Sequence, residues 1–229
     1  MKKPTLYNQF ILSKGFTLVE MAIVLIILGL IISALLVPLG AQIDMRNYSD
    51  SRARLEQIRE AIYGYAIING TLPCPTTTAN PADNINYGHG DATCALTAAA
   101  GVLPWKDLGI LEVDSWGTPR TSTTNPWLGY WTYRVDPAFT TVFSLTTSAS
   151  HIDIHKSDGT SLTIAAERAV AIVCTTGKNR IPDGQNANFE TVSPIYEDDA
   201  QSPTFDDICI WITRPSLFNR MVAAGKLPQ

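Results

Sequence analysis

Two hydrophobic patterns follow each other in the first third of the chain. Residues 16–40 read FTLVEMAIVLIILGLIISALLVPLG, an apolar run in which Glu20 is the only charged residue. After this run, apolar residues recur every three or four positions with charged residues between them, which is the period of one helical face. These apolar positions are Leu55, Ile58, Ile62 and Tyr65. The two patterns predict one long helix over residues 16–68, before a stop signal at Asn69-Gly70.

Short β-branched and aromatic segments separated by turn residues predict a sheet in the second half of the chain. The expected strands are residues 129–135, 140–146, 150–155, 161–165, 169–174 and 208–213. Their short connections make antiparallel pairing the default. Residues 179–201 are expected to form a polar loop, and Pro215 is placed to begin a terminal helix over residues 216–224. We therefore expect an α+β fold, in which the long helix packs on a small antiparallel β-sheet.

The apolar run of residues 16–40 is long enough to cross a membrane. As a helix it would extend about 37 Å at ~1.5 Å per residue, against ~30 Å of hydrocarbon. Three lysines precede it, and basic residues stay on the cytoplasmic side, so the rest of the chain is expected outside. A secretory signal would be shorter and would end in small residues, whereas residues 35–37 are LLV. A plain signal anchor accounts for the apolar residues but leaves Glu20 unexplained.

The composition fits one medium domain plus a membrane helix, since 45% of the 229 residues are apolar. The formal net charge is −4. Removal of a leader that ends at Gly15 would take away three lysines and no acidic residue, which makes the mature chain more acidic. Binding to nucleic acid needs a basic surface that replaces phosphate counterions, so no nucleic-acid partner is expected.

Four cysteines in an exported chain indicate disulfide bonds. They are Cys74, Cys94, Cys174 and Cys209. Of the possible pairings we favour Cys74–Cys94 with Cys174–Cys209, because each pair closes a local loop rich in Pro, Gly, Asn or Asp. Four reduced thiols in the core are the alternative. The chain has no CxxC spacing, which argues against zinc.

Glu20 requires a partner, because a carboxylate inside a membrane costs a few kcal/mol. Cleavage after Gly15 would give Phe16 a free amine one helical turn before Glu20. The amine of one subunit and the carboxylate of a neighbour could then pair in the apolar core of a filament. Residues 14–20, KGFTLVE, resemble the prepilin processing motif of type IV pilins and type II secretion pseudopilins. The resemblance implies that prepilin peptidase cuts Gly15–Phe16, that Phe16 is N-methylated, and that Glu20 is the assembly carboxylate.

The resemblance also implies a division of the chain. Residues 1–15 are the leader, residues 16–40 the transmembrane and assembly helix, and residues 41–229 a periplasmic pilin-like domain that includes the amphipathic half of the helix. Gly29 and Pro38 fall where such helices often kink, and proline removes a helical hydrogen bond. The implied location is the inner membrane with a single pass, then a periplasmic or extracellular filament. The implied partners are other pilin or pseudopilin subunits and the membrane assembly platform.

One departure from the family favours a divergent or minor subunit. Asp114, Trp116 and Gly117 resemble the aspartate–tryptophan–glycine turn that leads into the first sheet strand of major pseudopilins. In those proteins the tyrosine strand follows almost at once. Here a polar insertion separates the turn from residues 129–134.

Two groups of side chains offer metal ligands. Calcium prefers oxygen ligands, and major pseudopilins carry a loop calcium site, although its ligand pattern does not transfer to this chain. The calcium candidates are Asp198, Asp199, Asp206 and Asp207, near Glu197 and Asp183-Gly184. A solvated acidic loop is the alternative, and no other cofactor is expected. His151, Asp153 and His155 share one face of a predicted strand, which suits either a metal or a polar solvent-facing surface.

Enzyme activity is not expected, since the chain has no G-x-S-x-G, G-x-G-x-x-G, P-loop or H-E-x-x-H motif. Trp116 and Trp211 are expected in the core. Trp127, in the polar insertion, is the candidate for a contact surface. The sequence thus predicts a structural subunit of a type IV pilus or a type II secretion pseudopilus. The alternative is a membrane-anchored periplasmic binding or adhesion module that does not polymerise and keeps its N-terminus.

Overall fold

The computed structural model describes residues 15–76, 85–92, 94, 100–117, 131–165, 167–188 and 195–227. The chain divides into two compact units, Met1–Asp44 and Met45–Gln229. The second unit contains both sheets and the hydrophobic core. Most of the expected leader and the candidate contact residue Trp127 lie outside the described residues.

The first element is one helix, α1, over Leu18–Asn69. It confirms the long helix that the two hydrophobic patterns predict. Gly29 and Pro38 both lie within it, and the side chain of Pro38 is outside the described part, so a kink at these positions stays a prediction. Within the described residues, no helix combines the length and the apolar content that crossing a membrane requires.

In the described part of the chain, four antiparallel strands form the main sheet, in the order β1-β2-β4-β6, and two more form a second sheet. The strands are β1 (Ala100–Val102), β2 (Thr132–Val135), β3 (Asp153–His155), β4 (Ala169–Thr175), β5 (Ile195–Glu197) and β6 (Ile208–Thr213). β2, β4 and β6 fall on strands predicted from the sequence, and β3 is the end of a fourth. A short helix, α2 (Trp105–Leu108), follows β1, and the terminal helix, α3 (Arg214–Ala223), follows β6. The α+β fold is therefore confirmed.

The strand predicted over residues 140–146 is wrong. These residues form turns that follow a short 3-10 helix, Pro137–Phe139, in the chain. The side chain of Asp136 accepts hydrogen bonds from the N–H groups of Ala138, at 2.9 Å, and Ser150, at 2.6 Å. Such side-chain-to-backbone bonds offer the chain an alternative to a sheet ladder.

The strand predicted over residues 161–165 is also wrong, and for a related reason. The Thr163 hydroxyl donates to Asp153 Oδ1 at 2.6 Å and accepts from the Ile154 N–H at 3.1 Å. The Thr163 side chain thus takes the hydrogen-bonding position that a neighbouring strand would take beside β3. An isolated bridge between His155 and Ser161 connects the segment to β3.

Parallel pairing between β3 and β5 corrects the antiparallel expectation for this part of the fold. The two strands are separated by β4 and a long connection, so the hairpin argument does not apply to them. β5 lies inside the predicted polar loop, and neither β5 nor β1 was expected. Each has three residues, which is too few for an alternating pattern to show.

The second half of α1 packs on one face of the main sheet. Leu55, Ile58 and Ile62 are buried there, as their spacing predicts. Tyr65 differs from the expectation, since it is half-buried and Ala66 takes the core position. The opposite face of the sheet is covered by the second sheet, through side chains that include Ile154, Ile172 and Tyr196.

Candidate processing and assembly site

The start of α1 is fixed by hydrogen bonds between Thr17 and Glu20. Residues 15–17 are not helical, and α1 begins at Leu18. The Glu20 N–H donates to Thr17 Oγ1 at 3.2 Å, and the Thr17 N–H donates to Glu20 Oε2 at 2.8 Å. The Thr17 hydroxyl donates to the same carboxylate oxygen at 2.9 Å. This reciprocal arrangement is a capping box, which satisfies main-chain N–H groups that have no partner at a helix start.

The expected cleavage bond, Gly15–Phe16, lies just outside the capped helix. Phe16 is 82% exposed, and nothing in the described structure lies within 4 Å of the position of a Cβ on Gly15. Non-helical, exposed main chain is where proteases cut most readily. The capping box therefore starts the helix just after the expected cleavage bond and leaves that bond outside it. Thr17 was not predicted as part of this site, although T-x-x-E is the capping-box spacing.

A comparison with known families decides the class of this N-terminus. Residues 12–36 match the prokaryotic N-terminal methylation motif. The chain carries the signature of type IV pilins and pseudopilins. The match covers 25 of the 229 residues and contains Gly15–Phe16, the capping box and the first turns of α1. No curated protein and no solved structure matches the chain.

Beyond the capping box, α1 continues as an apolar surface. The large apolar side chains between Phe16 and Ile32 are between 46% and 86% exposed, and Glu20 is the only charge among them. A contiguous apolar surface of this kind is unfavourable in water and marks a site of contact with lipid or with other helices.

Both pairs of cysteines favoured by the sequence are joined in the structure. Cys74 is bonded to Cys94, and Cys174 is bonded to Cys209. The second bond links β4 to β6, where the two residues are directly paired. It closes the loop that carries the candidate calcium ligands.

Three carboxylates converge inside that loop. Asp183, Asp206 and Asp207 each place an oxygen within 4.8 Å of the others. Asp207 is 3% exposed, and its Oδ2 accepts hydrogen bonds at 2.9 Å from the Asp183 N–H and from Asn186 Nδ2. Its Oδ1 has no hydrogen-bond partner among the described residues. Burial raises the pKa of Asp207 to about 7, and the charges of Asp183 and Asp206 act in the same direction.

Asp198 and Asp199 lie elsewhere, which corrects the ligand set expected from the sequence. Asp199 Oδ2 accepts a hydrogen bond from the Ser157 N–H at 3.1 Å. The Asp198 carboxyl is half-buried and interacts with the charge of Arg52. The four expected calcium ligands are therefore not together in the structure. Two of them, Asp206 and Asp207, lie beside Asp183.

His151, Asp153 and His155 do not form a metal-sized group in the described part of the chain. Asp153 instead accepts the Thr163 hydroxyl and lies 3.3 Å from His155 Nε2 and 3.5 Å from Arg168 Nη2. Burial alone would raise the pKa of Asp153, but the Thr163 hydrogen bond and the charges of His155 and Arg168 outweigh it and lower the pKa. This cluster holds β3 to the segment that follows it.

The Asp-Trp-Gly turn is anchored by a buried carboxylate. Asp114 is 3% exposed, and it accepts hydrogen bonds from the Trp116 N–H, at 2.9 Å, and from the Thr175 hydroxyl. The Arg180 guanidinium donates to the Trp116 carbonyl. Burial raises the pKa of Asp114, although these hydrogen bonds oppose the shift. Trp116 is in the core as expected, whereas Trp211 is half-buried.

Proposed function

We propose that the chain is a minor pilin or pseudopilin, cut by prepilin peptidase between Gly15 and Phe16 and then assembled into a filament through α1. The proposal rests on three features that occur together. The methylation motif, a non-helical Gly15–Phe16 bond and an exposed apolar helix all meet at the same point of the chain. N-methylation of the new Phe16 amine belongs to the same processing. The filament is a type IV pilus or a type II secretion pseudopilus.

The location follows from the same motif. We place the precursor in the inner membrane with a single pass and with its C-terminal domain in the periplasm, where disulfide bonds persist. Its partners there are the peptidase, the assembly platform and other subunits. Moving an apolar helix from lipid into a helical bundle gains little hydrophobic free energy, because lipid tails are as apolar as the bundle. Extraction therefore needs a separate motor, since the sequence has no nucleotide-binding motif.

Glu20 has two successive partners in this scheme. In the uncut chain, Thr17 satisfies its carboxylate. Within an apolar bundle the charge is costly unless a cation compensates it. Cleavage creates that cation, the Phe16 amine, and the amine of a neighbouring subunit then pairs with Glu20 and sets the register between helices.

Processing is tested by mass spectrometry and N-terminal sequencing of the protein purified from membranes. We expect N-methylated Phe16 as the first residue. Gly15→Leu places a bulky side chain next to the cleavage bond and should leave the leader attached. An intact Met1 on the wild-type protein would overturn the proposal in favour of an anchored binding module that does not polymerise.

Assembly is tested with Glu20→Ala. We expect this variant to be processed normally but to yield far fewer filaments, counted after shearing from cells. Glu56→Ala is the matched control, because it removes a glutamate from the exposed side of the same helix. Normal filament numbers with Glu20→Ala would exclude the register role.

We also propose that calcium binds at Asp183, Asp206 and Asp207. The support is the unpaired Oδ1 of the buried Asp207 beside two further carboxylates. Added calcium should raise the melting temperature of the purified full-length protein by about 5 °C, and EDTA should reverse the rise. Asp206→Asn should abolish the response, while Asp199→Asn, outside the cluster, should keep it. A wild-type melting temperature that ignores calcium would refute the site.

A further inference from the structure

A groove runs along the free edge of β6. Two adjoining cavities of about 640 and 410 Å³ share Asp198, Cys209 and Ile210 as lining residues. α1 supplies further lining residues from Arg52 to Tyr63, and α3 supplies Asn219 and Arg220. The groove belongs wholly to the second unit.

The main chain of β6 forms one wall of the groove. Consecutive residues, Ile208 to Trp211, line the cavities, although neighbouring residues of a strand point to opposite faces. Because the side chains alternate, it is the outer edge of the strand, with its main-chain atoms, that all four residues present to the groove. β6 also has no charged residue and no proline, which are the usual devices that block pairing at a sheet edge.

The disulfide shows which main-chain groups point into the groove. Cys174 and Cys209 are directly paired across β4 and β6, with their Cα atoms 4.1 Å apart. In antiparallel sheets this short spacing belongs to the non-hydrogen-bonded pair, at ~4.5 Å, and not to the hydrogen-bonded pair, at ~5.5 Å. The N–H and C=O groups of Cys209, and of Trp211 two residues later, therefore point away from β4. Among the described residues, no main-chain hydrogen bond from a turn, a loop or a cap reaches these four groups.

The charges around the groove are already compensated. Glu56 pairs with Arg59, Glu60 lies 2.8 Å from Arg220 Nη2, and Asp198 interacts with Arg52. A charged occupant would have to break these interactions. An extended and uncharged segment would complement both the neutral rim and the free main-chain groups.

The described strands of a second copy do not suit the groove. β6 lies between α1 and α3, so the β6 of another copy is recessed in the same way. The opposite edge of the sheet, β1, is covered at Val102, which exchanges hydrogen bonds of 2.9 and 3.1 Å with Thr76. The occupant must therefore be a projecting segment, such as a terminus or a long loop.

We propose that the groove binds an extended, uncharged segment of another protein, which adds to β6 as a further strand. In strand addition, main-chain hydrogen bonds provide the affinity and the flanking side chains provide the specificity. Cys209 and Trp211 would each contribute one donor and one acceptor. The inference does not depend on cleavage at Gly15 or on filament assembly, and its test involves neither.

The test measures amide hydrogen exchange in the full-length protein in detergent. The probe is a synthetic peptide with the β4 sequence AVAIVCT, with the Cys174→Ser change and two asparagines at each end, so that it carries no charged side chain. β4 is already a partner of β6, so its sequence is compatible with pairing. Without peptide, the N–H groups of Cys209 and Trp211 should exchange faster than those of Ile210 and Ile212, which face β4. Peptide at about 90% occupancy should slow the first pair about tenfold.

Two variants distinguish the groove from unspecific binding. Ala53→Trp fills the cavity beside Leu55 and should abolish the protection. Ala61→Trp makes the same change on another part of α1 and should preserve it. Protection that survives Ala53→Trp, or no protection at any peptide concentration, would overturn the proposal. Slow exchange before peptide is added would also overturn it, and if that slowing grew with protein concentration, the occupant would be a second copy.

Discussion

At the scale of single residues, the structure gives Thr17 a role that the motif does not assign, since it caps the first turn of α1 together with Glu20. The cleavage and assembly roles stay predictions, and they could be made from the sequence because Gly15, Phe16 and Glu20 lie close together in one short motif that can be read without the fold. The acidic cluster could be predicted only in part. Folding brings Asp183 to residues that follow it by more than twenty positions, and no local pattern records that approach.

Thr17→Val should loosen the first turn of α1, because valine keeps the shape of threonine but cannot accept the Glu20 N–H. Loss of a helix cap costs about 1 kcal/mol, so the Glu20 amide should exchange with solvent roughly fivefold faster. Thr17→Ser retains a hydroxyl and should exchange like the wild type. Equal exchange rates in all three proteins would show that the capping box contributes nothing to the helix start.

Asp207 should make the protein less stable as pH rises from about 4 to about 7 in calcium-free buffer. Its pKa is raised to about 7 in the folded protein, against ~4 in the unfolded chain, so the folded state holds the proton more tightly in this window. The free energy of unfolding should therefore fall by up to about 1.4 kcal/mol per pH unit. Asp207→Asn should flatten the dependence in urea titrations. Identical slopes for variant and wild type would contradict the assignment.

At the scale of elements, the sequence revealed the segments that carry a clear hydrophobic pattern, including the one that ends in the short strand β3. α1, β4 and β6 are long enough for their periodicity or β-branched content to identify them. β1 and β5 have three residues each, and tertiary contacts define them. The segments at 140–146 and 161–165 have strand-like composition, but Asp136 and Asp153 hold their surroundings in turns. Asp136 lies outside the first misassigned segment, whereas Thr163, which accepts the Ile154 N–H, lies inside the second.

The Cys174–Cys209 bond should constrain β6 strongly, because β4 is the one strand beside β6 among the described residues. Replacing both cysteines with serine should lower the free energy of unfolding by about 2–5 kcal/mol, measured in urea under oxidising conditions. Amide exchange in β6 should accelerate more than exchange in β2. An unchanged unfolding midpoint would mean that the pairing of β6 with β4 holds β6 in place without the disulfide bond.

At the scale of the whole molecule, one helix serves two units. Residues of α1 after Asp44 are part of the core of the second unit, whereas the apolar residues before it are exposed. The amphipathic stripe predicted that Leu55, Ile58 and Ile62 are buried, whereas the expected division of the chain after residue 40 stays a prediction. The irregular loops of the second unit carry no such pattern.

Ile62→Ala should therefore destabilise the second unit by about 2–5 kcal/mol, because Ile62 is fully buried against the sheet. Ile26→Ala makes the same change at a side chain that is 64% exposed in the first unit, and it should leave the unfolding of the second unit unchanged. Urea unfolding in detergent, followed by tryptophan fluorescence, measures both. Similar losses from the two substitutions would contradict the division into units.

The position of the Cys174–Cys209 bond has a mechanical consequence. Asp183, Asp206 and Asp207 all lie between the two cysteines. If the domain is stretched from its ends, the pull crosses from Cys174 to Cys209 through the sulfur atoms and bypasses the residues between them. The acidic cluster then bears no tension while the chain outside the loop is stretched. A subunit built this way can lengthen under strain elsewhere and still keep its carboxylates in place.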